Sequence, residues 1–153
     1  MANITIKLPI NHSITVLSDG KYITATVFDM DIADNPDGIC YAAAKQLDEY
    51  FDGRRKVFDL PYNIDNLGTP FFRSILHAIE KIPYGSTVTY KDVAASVNSA
   101  AVRATGSALK KNPLPIIIPC HRIVPASGGY GNYMGGMGND IKRFLLELEK
   151  GNV

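Results

Sequence analysis

A chain of 153 residues, 46% hydrophobic and 20% charged, has the balance of a folded globular protein, which excludes a disordered polyelectrolyte. A chain of this size buries on the order of 70% of its unfolded surface, enough for one domain or two small ones. No apolar run reaches the ~20 residues of a membrane span, and the opening MANITIKLPIN is polar throughout. Neither an anchor nor a secretory signal is therefore expected, and the expected compartment is the cytoplasm.

The two cysteines, Cys40 and Cys120, have no Cys-x-x-Cys or Cys/His spacing, so neither a disulfide framework nor a metal site is expected. The formal net charge is +1, but it is unevenly spread: residues 1–68 hold 6 basic and 10 acidic groups, residues 69–153 hold 10 basic and 5 acidic groups. A basic second half suits a polyanionic partner, provided a motif supports it.

The opening residues read as strands. Ile4, Ile6 and Leu8 alternate with polar neighbours, and Ile14–Leu17 and Tyr22–Phe28 flank the turn Ser18-Asp19-Gly20. After Asn35-Pro36-Asp37-Gly38 the pattern predicts a helix over Cys40–Phe51 with Ala42, Ala43, Leu47 and Tyr50 inward and Gly53 as terminator; Cys40 is then a small apolar helix residue. Arg54–Gly68 has no sustained period and reads as an extended connection, which sets the expected domains at 1–68 and 69–153.

Thr69-Pro70 supplies an N-cap and a proline at the first helical position, and Phe72, Ile75, Ile79 and Ile82 follow at helical spacing up to Pro83. Thr89 can cap a short helix Tyr90–Val97, and another runs from Ala100 to about Lys111, a pattern shared by helix-turn-helix motifs and plain helical hairpins. The second helix begins with Ala100, Ala101 and Val102, then Arg103, with Gly106 a turn later, so a basic side chain projects from a smooth surface. The expected fold class is α/β (α+β): a small antiparallel sheet with a helix, then a mostly helical unit with the helix-turn-helix.

Asn112 to Pro119 is too short and proline-rich for a helix, which predicts an extended buried segment delivering Cys120, with His121 and Arg122 directly after it. A lone buried cysteine is ordinarily inert packing. Here an imidazole base and a neighbouring positive charge favour the thiolate, the reactive form, although adjacent extended residues point apart and His121 would reach the thiol through a water or a tight bend. Residues 128–138, GGYGNYMGGMG, hold six glycines that preclude regular structure, and either form a flexible surface loop or let backbone and the rings of Tyr130 and Tyr133 approach a planar ligand. The last helix starts at Asn139 or Asp140 with Ile141, Phe144, Leu145 and Leu148 on one face, leaving Glu149 beside the core and in need of a partner such as His121.

PCHRIV at 119–124, preceded by KNPLPIII and followed by GNYMGG and KRFLLELE, resembles the O6-alkylguanine-DNA alkyltransferases from about Thr69 to Gly151, with YFDGRRKVFDLP resembling the link into their active domain. The resemblance implies a DNA-repair function: O6-alkylguanine, and also O4-alkylthymine, is flipped from double-stranded DNA and its alkyl group passes irreversibly to Cys120. It implies further that His121 is a water-linked base, Glu149 its orienting carboxylate and Asn112 a hinge between the helix-turn-helix and the active-site loop. Tyr90 would promote nucleotide rotation and donate toward guanine N3. Arg103 would enter the base stack as Ala101, Val102 and Gly106 approach the minor groove. Pro115, Ile123, Tyr133 and Met134 would line the base pocket, Met134 standing where the family often has a small residue. No cofactor, metal or membrane partner is implied, and a monomer is expected. The competing reading is a lesion-recognition relative that binds without transfer, which commonly replaces the cysteine that Cys120 retains; a thiol hydrolase using Cys120 and His121 leaves Arg103 without a purpose.

Overall fold

The computed structural model describes residues 1–153, except that of Gly135 only the backbone is described. The chain forms two compact units, Met1–Asn63 and Ile64–Val153. Among the described residues no helix is long and apolar enough to cross a membrane.

In the first unit, β1 (Ala2–Lys7), β2 (Ser13–Ser18) and β3 (Ile23–Phe28) form an antiparallel sheet in the order β1-β2-β3. The turn into β3 is fixed by Asp19, whose Oδ1 accepts from the Lys21 and Tyr22 N–H groups, and by Gly20 at φ +91°, so β3 starts one residue after Tyr22. The central strand is buried on both faces: Ile14 and Val16 face one side, and Thr15 on the other shares a 2.7 Å hydrogen bond with Thr5. The free edge of β1 is closed by reciprocal backbone hydrogen bonds between Asn3 and Asn35.

Helix α1 (Gly38–Phe51) is capped by Asp37, which accepts from the Cys40 N–H, and packs on β1 and β2 through Cys40, Ala43, Leu47, Tyr50 and Phe51. Ala42, expected inward, is exposed: it precedes Ala43 by about 100° of helical rotation, and Phe51 takes its place on the inner face. Gly53, at φ +75°, ends the helix as anticipated. The following segment lacks regular structure but is not a loose connection. Gln46 brackets the Asp59 backbone with two hydrogen bonds, Arg55 pairs with Glu49, and the Pro61 carbonyl accepts from the Ile23 N–H, so residues up to Asn63 belong to the first unit.

The second unit is built on α2 (Pro70–Glu80), α3 (Tyr90–Ser96) and α4 (Val102–Leu109), which pack against one another. Thr69 caps α2 with proline at its first turn, and Thr89 with Asp92 forms a reciprocal capping box on α3. Asn98, at φ +56°, and the Ser99 N–H bonded to the Ala94 carbonyl make the tight turn into α4. Helix α4 is shorter than Ala100–Lys111: Ala101 is its N-cap residue and Lys110 its C-cap, because no side chain caps its start and the chain turns away at Asn112.

The largest departure from expectation is the isoleucine run, which is not extended. Ile116 adopts φ +75°, the Ile118 N–H returns to the Leu114 carbonyl at 2.8 Å, and Pro115 bridges Ile118, so the run coils into a buried turn. Alternation of apolar residues could not reveal this, since every residue of the run is buried whichever way the backbone folds. Cys120–Arg122 is then a turn of 3-10 helix, followed by β5 (Ile123–Val124), which pairs in parallel with β4 (Val88–Thr89). The glycine-rich loop also contains a 3-10 turn at Met134–Gly136, anchored where the Gly136 and Gly138 N–H groups both reach the Tyr133 carbonyl. Helix α5 (Asn139–Gly151) buries Ile141, Lys142, Leu145 and Glu149, while Phe144 and Leu148 are only half-buried.

The capping box gives the C-terminal unit a local, testable dependence. Thr89→Ala removes the acceptor for the Asp92 N–H and should lower stability by about 1 kcal/mol with an unchanged denaturant slope, measured by urea unfolding; a loss below a few tenths would show that the box contributes nothing.

Candidate active site

Cys120 is 6% exposed and sits where three structures meet: the end of α4, the coiled isoleucine turn and the β4–β5 pair. Asn112 makes the junction. Both hydrogens of its amide are used, one to the Ile118 carbonyl at 2.9 Å and one to Cys120 Sγ at 3.2 Å, while its Oδ1 accepts from the Leu114 N–H at 3.0 Å and its own N–H reaches the Leu109 carbonyl at the end of α4. The residue expected as a hinge thus holds the sulfur directly.

Because Cys120–Arg122 is helical, His121 and Arg122 turn inward toward α5 instead of alternating. His121 Nε2 lies 2.7 Å from Glu149 Oε2, and Arg122 grips the same carboxylate with Nε at 2.8 Å from Oε1 and Nη2 at 3.0 Å from Oε2. The Gly85 N–H adds a fourth donor to Oε1. With Glu149 ionised between these donors, the imidazole hydrogen belongs on Nε2 and Nδ1 is the basic nitrogen.

Sequence reasoning assigned the positive charge beside Cys120 to Arg122. The structure gives Arg122 to Glu149, and the cation that acts on the thiol is Lys142, which is 1% exposed, donates to the Ile123 carbonyl at 2.6 Å and lies 5.8 Å from the Tyr90 ring centre. Desolvation presses its ammonium down to about 8. A signal for it was present: Lys142 stands three residues before Leu145 and seven before Glu149, on the inward face of α5, where a charged residue is easily discounted.

The same desolvation governs the reacting groups. Burial pushes the Cys120 thiol up, with hydrogen bonds from Asn112 and Tyr133 and the charge of Lys142 working against it. Burial likewise presses His121 down despite Glu149, helped by Arg122 and Lys142. Burial thus favours the neutral thiol and the neutral imidazole, against the thiolate that the neighbouring charges favour.

Tyr90 begins α3 directly after β4, and its phenol is raised by burial and by Cys120, so it stays protonated. It lines a groove of about 460 Å³ together with Val102, Arg103, Gly106, Pro125, Gly131 and Asn132. Arg103 and Val102 are exposed, Gly106 leaves open space above its Cα, and Ala101 is exposed at the start of α4 outside that lining. Ile123, Tyr133 and Pro115 are buried, and Met134 is half-buried at φ +51°. Tyr130 points elsewhere, stacking on Arg143 and donating to Glu147, so of the two loop tyrosines only Tyr133 serves the cysteine. Among the described residues no cluster of His, Cys, Asp and Glu could hold a metal ion, and both cysteines are free thiols.

A histidine held below 6.5 in the folded state takes up its proton only on unfolding, so its contribution to stability is complete above about 6.5 and is lost as the pH falls through the folded value. Between pH 7 and pH 5 the wild type should therefore lose more stability than His121→Gln, with an excess slope of up to about 1.4 kcal/mol per pH unit in urea unfolding. Parallel pH dependences would mean that His121 titrates normally in the fold.

Residues 70–151 match the profile described as 6-O-methylguanine DNA methyltransferase, DNA binding domain. The constitutive methylated-DNA-protein-cysteine methyltransferase of Bacillus subtilis (strain 168) is 47% identical over 109 residues, covering 71% of this chain and 64% of that protein, so the match spans just under two thirds of it. The methylated-DNA-protein-cysteine methyltransferase of Methanosarcina barkeri is 46% identical over 112 residues, or 72% of this chain and 68% of that protein. Among solved structures, the Mycobacterium tuberculosis OGT in complex with DNA superposes over 99% of this chain and 94% of that one, with TM-score 0.85 and 36% identity. A profile match over more than half of the chain and a full-length structural counterpart lead to one conclusion: the chain belongs to the 6-O-methylguanine DNA methyltransferase family.

Proposed function

We propose that this protein repairs double-stranded DNA by transferring the alkyl group of O6-alkylguanine, and of O4-alkylthymine, to Cys120 in a single irreversible turnover. The observation that carries the reading is the buried Cys120 thiol, held by the Asn112 amide beside a histidine whose Nε2 is committed to Glu149. Two well-matched relatives bear the name methylated-DNA-protein-cysteine methyltransferase, which agrees with that chemistry.

In the proposed reaction the thiol proton passes to His121 Nδ1 through a bridging water, the S–C bond forms as the C–O6 bond breaks, and the electron pair returns to the purine ring. The ring takes up a proton at the end, so that thiol plus alkylated base becomes thioether plus normal base. Tyr90, kept protonated by burial, donates toward guanine N3 as negative charge develops there. The resting site favours neutral groups, and the proton leaves the thiol as the base occupies the pocket of Pro115, Ile123, Tyr133 and Met134. The half-buried Met134 limits how large an adduct that pocket takes.

Reaction at a buried sulfur requires the nucleotide to leave the helix. The groove beside Tyr90 supports that step: Ala101, Val102 and Gly106 give α4 a smooth face suited to the minor groove, and exposed Arg103 can fill the vacated stack. The reaction belongs wholly to the C-terminal domain, residues 69–153, which lies within the compact unit Ile64–Val153. The protein acts as a cytoplasmic monomer without a cofactor. The competing lesion-sensor reading has no use for a thiol held by Asn112.

Two measurements test this. After incubation with O6-methylguanine duplex DNA, intact-mass spectrometry should show one added methyl on the wild type and none on Cys120→Ser, which retains DNA binding; methylation of the Ser variant would overturn the assignment. Arg103→Ala should slow repair of duplex DNA by roughly tenfold or more while leaving reaction with the free alkylated base nearly unchanged, since unstacking costs a few kcal/mol and a free base needs none. Equal losses on both substrates would remove Arg103 from the extrusion step.

A further inference from the structure

Arg122 has no role in the steps above, yet it is buried and fully engaged: a fork on Glu149, Nη1 at 2.6 Å from the Ile82 carbonyl, and the Tyr84 ring centre 5.7 Å from its guanidinium carbon. The fork has an electrostatic consequence for the imidazole on the same carboxylate. A histidine bonded to an uncompensated buried carboxylate binds its second proton tightly, and a protonated imidazole cannot accept one from a thiol. A guanidinium paired to both oxygens of that carboxylate cancels the charge that would stabilise the imidazolium, while leaving the lone pair that receives the Nε2 hydrogen.

The charged and titratable groups around His121 fit this account. From its own turn come Cys120 and Arg122, from α5 come Glu149 and Lys142, and Tyr84 from the turn after α2 faces both Glu149 and Arg122. Burial is the first cause that opposes the imidazolium; Glu149 alone favours it, and Arg122 and Lys142 add to the opposition. Lys142 is engaged with the Ile123 carbonyl, so Arg122 is the cation that meets Glu149 directly.

We propose that Arg122 is a positioning residue for alkyl transfer: its clamp on Glu149 keeps His121 a neutral base with the hydrogen on Nε2 and Nδ1 as the basic nitrogen. The proposal rests on the transfer reading above, but its first measurement does not. The side-chain titration of His121, followed by NMR on the full-length chain, should move up by about one pH unit or more in Arg122→Met and by less in Arg122→Lys, which keeps the charge but loses the fork. The acidic limb of the rate of methyl uptake from alkylated duplex should move to higher pH by the same amount. In Arg122→Met combined with Glu149→Gln, where both charges are gone and the fold is not left with an unpaired one, the His121 midpoint should return to the wild-type value or below. A structural role alone would slow transfer without moving either midpoint. An unchanged His121 midpoint in folded Arg122→Lys, or an upward shift that persists in the double variant, would overturn the proposal; should Arg122→Met not fold, these two variants decide it. Failure of the wild type to take up a methyl would refute the transfer reading while the NMR midpoints still decide the role of Arg122.

Discussion

The Glu149 carboxylate, 1% exposed, can remain ionised in the interior only because donors surround it, and those donors come from separate stretches of chain. Gly85 belongs to the turn before β4, His121 and Arg122 to the 3-10 turn, and Arg122 in addition ties the Ile82 carbonyl. One side chain of α5 thereby fixes the path of the chain on both sides of the β4–β5 pair. Since Tyr90 follows β4 and Cys120 precedes β5, the positions of the phenol and the sulfur both follow from this cluster. A buried ion pair of this kind contributes little net stability compared with an apolar replacement, but removing one partner leaves a charge stranded at a cost of about 3 to 5 kcal/mol. Its value lies in specifying one arrangement.

Around that fixed arrangement the site holds its charge in reserve. Desolvation raises the thiol, lowers the imidazole and brings Lys142 down to about 8, so each group is pressed toward its neutral form. A standing thiolate would react with any small electrophile that reached it. Burial that favours the neutral pair holds that reactivity down. The geometry, by contrast, is already set by the hydrogen bonds of Asn112 and Glu149.

Much of this was legible in the residues. Thr69-Pro70, the Thr89 box and Gly53 mark helix ends by local hydrogen bonding, which sequence carries almost completely. The need of Glu149 for a partner followed from its place on an apolar helix face, and His121 supplies it. What was not legible depended on contacts distant in the chain. The coiling of Leu114–Ile118 turns on Ile116 adopting a positive φ, a conformation disfavoured for a β-branched residue and stabilised here by the Asn112 amide and complete burial. The exchange of roles between Arg122 and Lys142 turns on a 3-10 turn three residues long, too short to leave a periodicity. The pairing of β4 with β5 involves two residues on each side, below the length at which alternation means anything.

The bonding of Asn112 gives the sulfur a second significance. The same residue that donates to Sγ closes the end of α4 through its backbone N–H and fixes the isoleucine turn through both ends of its side-chain amide. A carbon bonded to the sulfur, as the proposed transfer would place there, intrudes on the 3.2 Å contact of a residue also attached to the Ile118 carbonyl, to the Leu114 N–H and, through its backbone, to the Leu109 carbonyl at the end of the helix bearing Arg103. Because a thioether has no route back to the thiol, such a strain would persist. Under the proposed transfer, a used molecule and a fresh one would differ by a single buried bond, set at the junction that ends the helix lining the groove, so that bond has a mechanical path from the pocket to the outer surface.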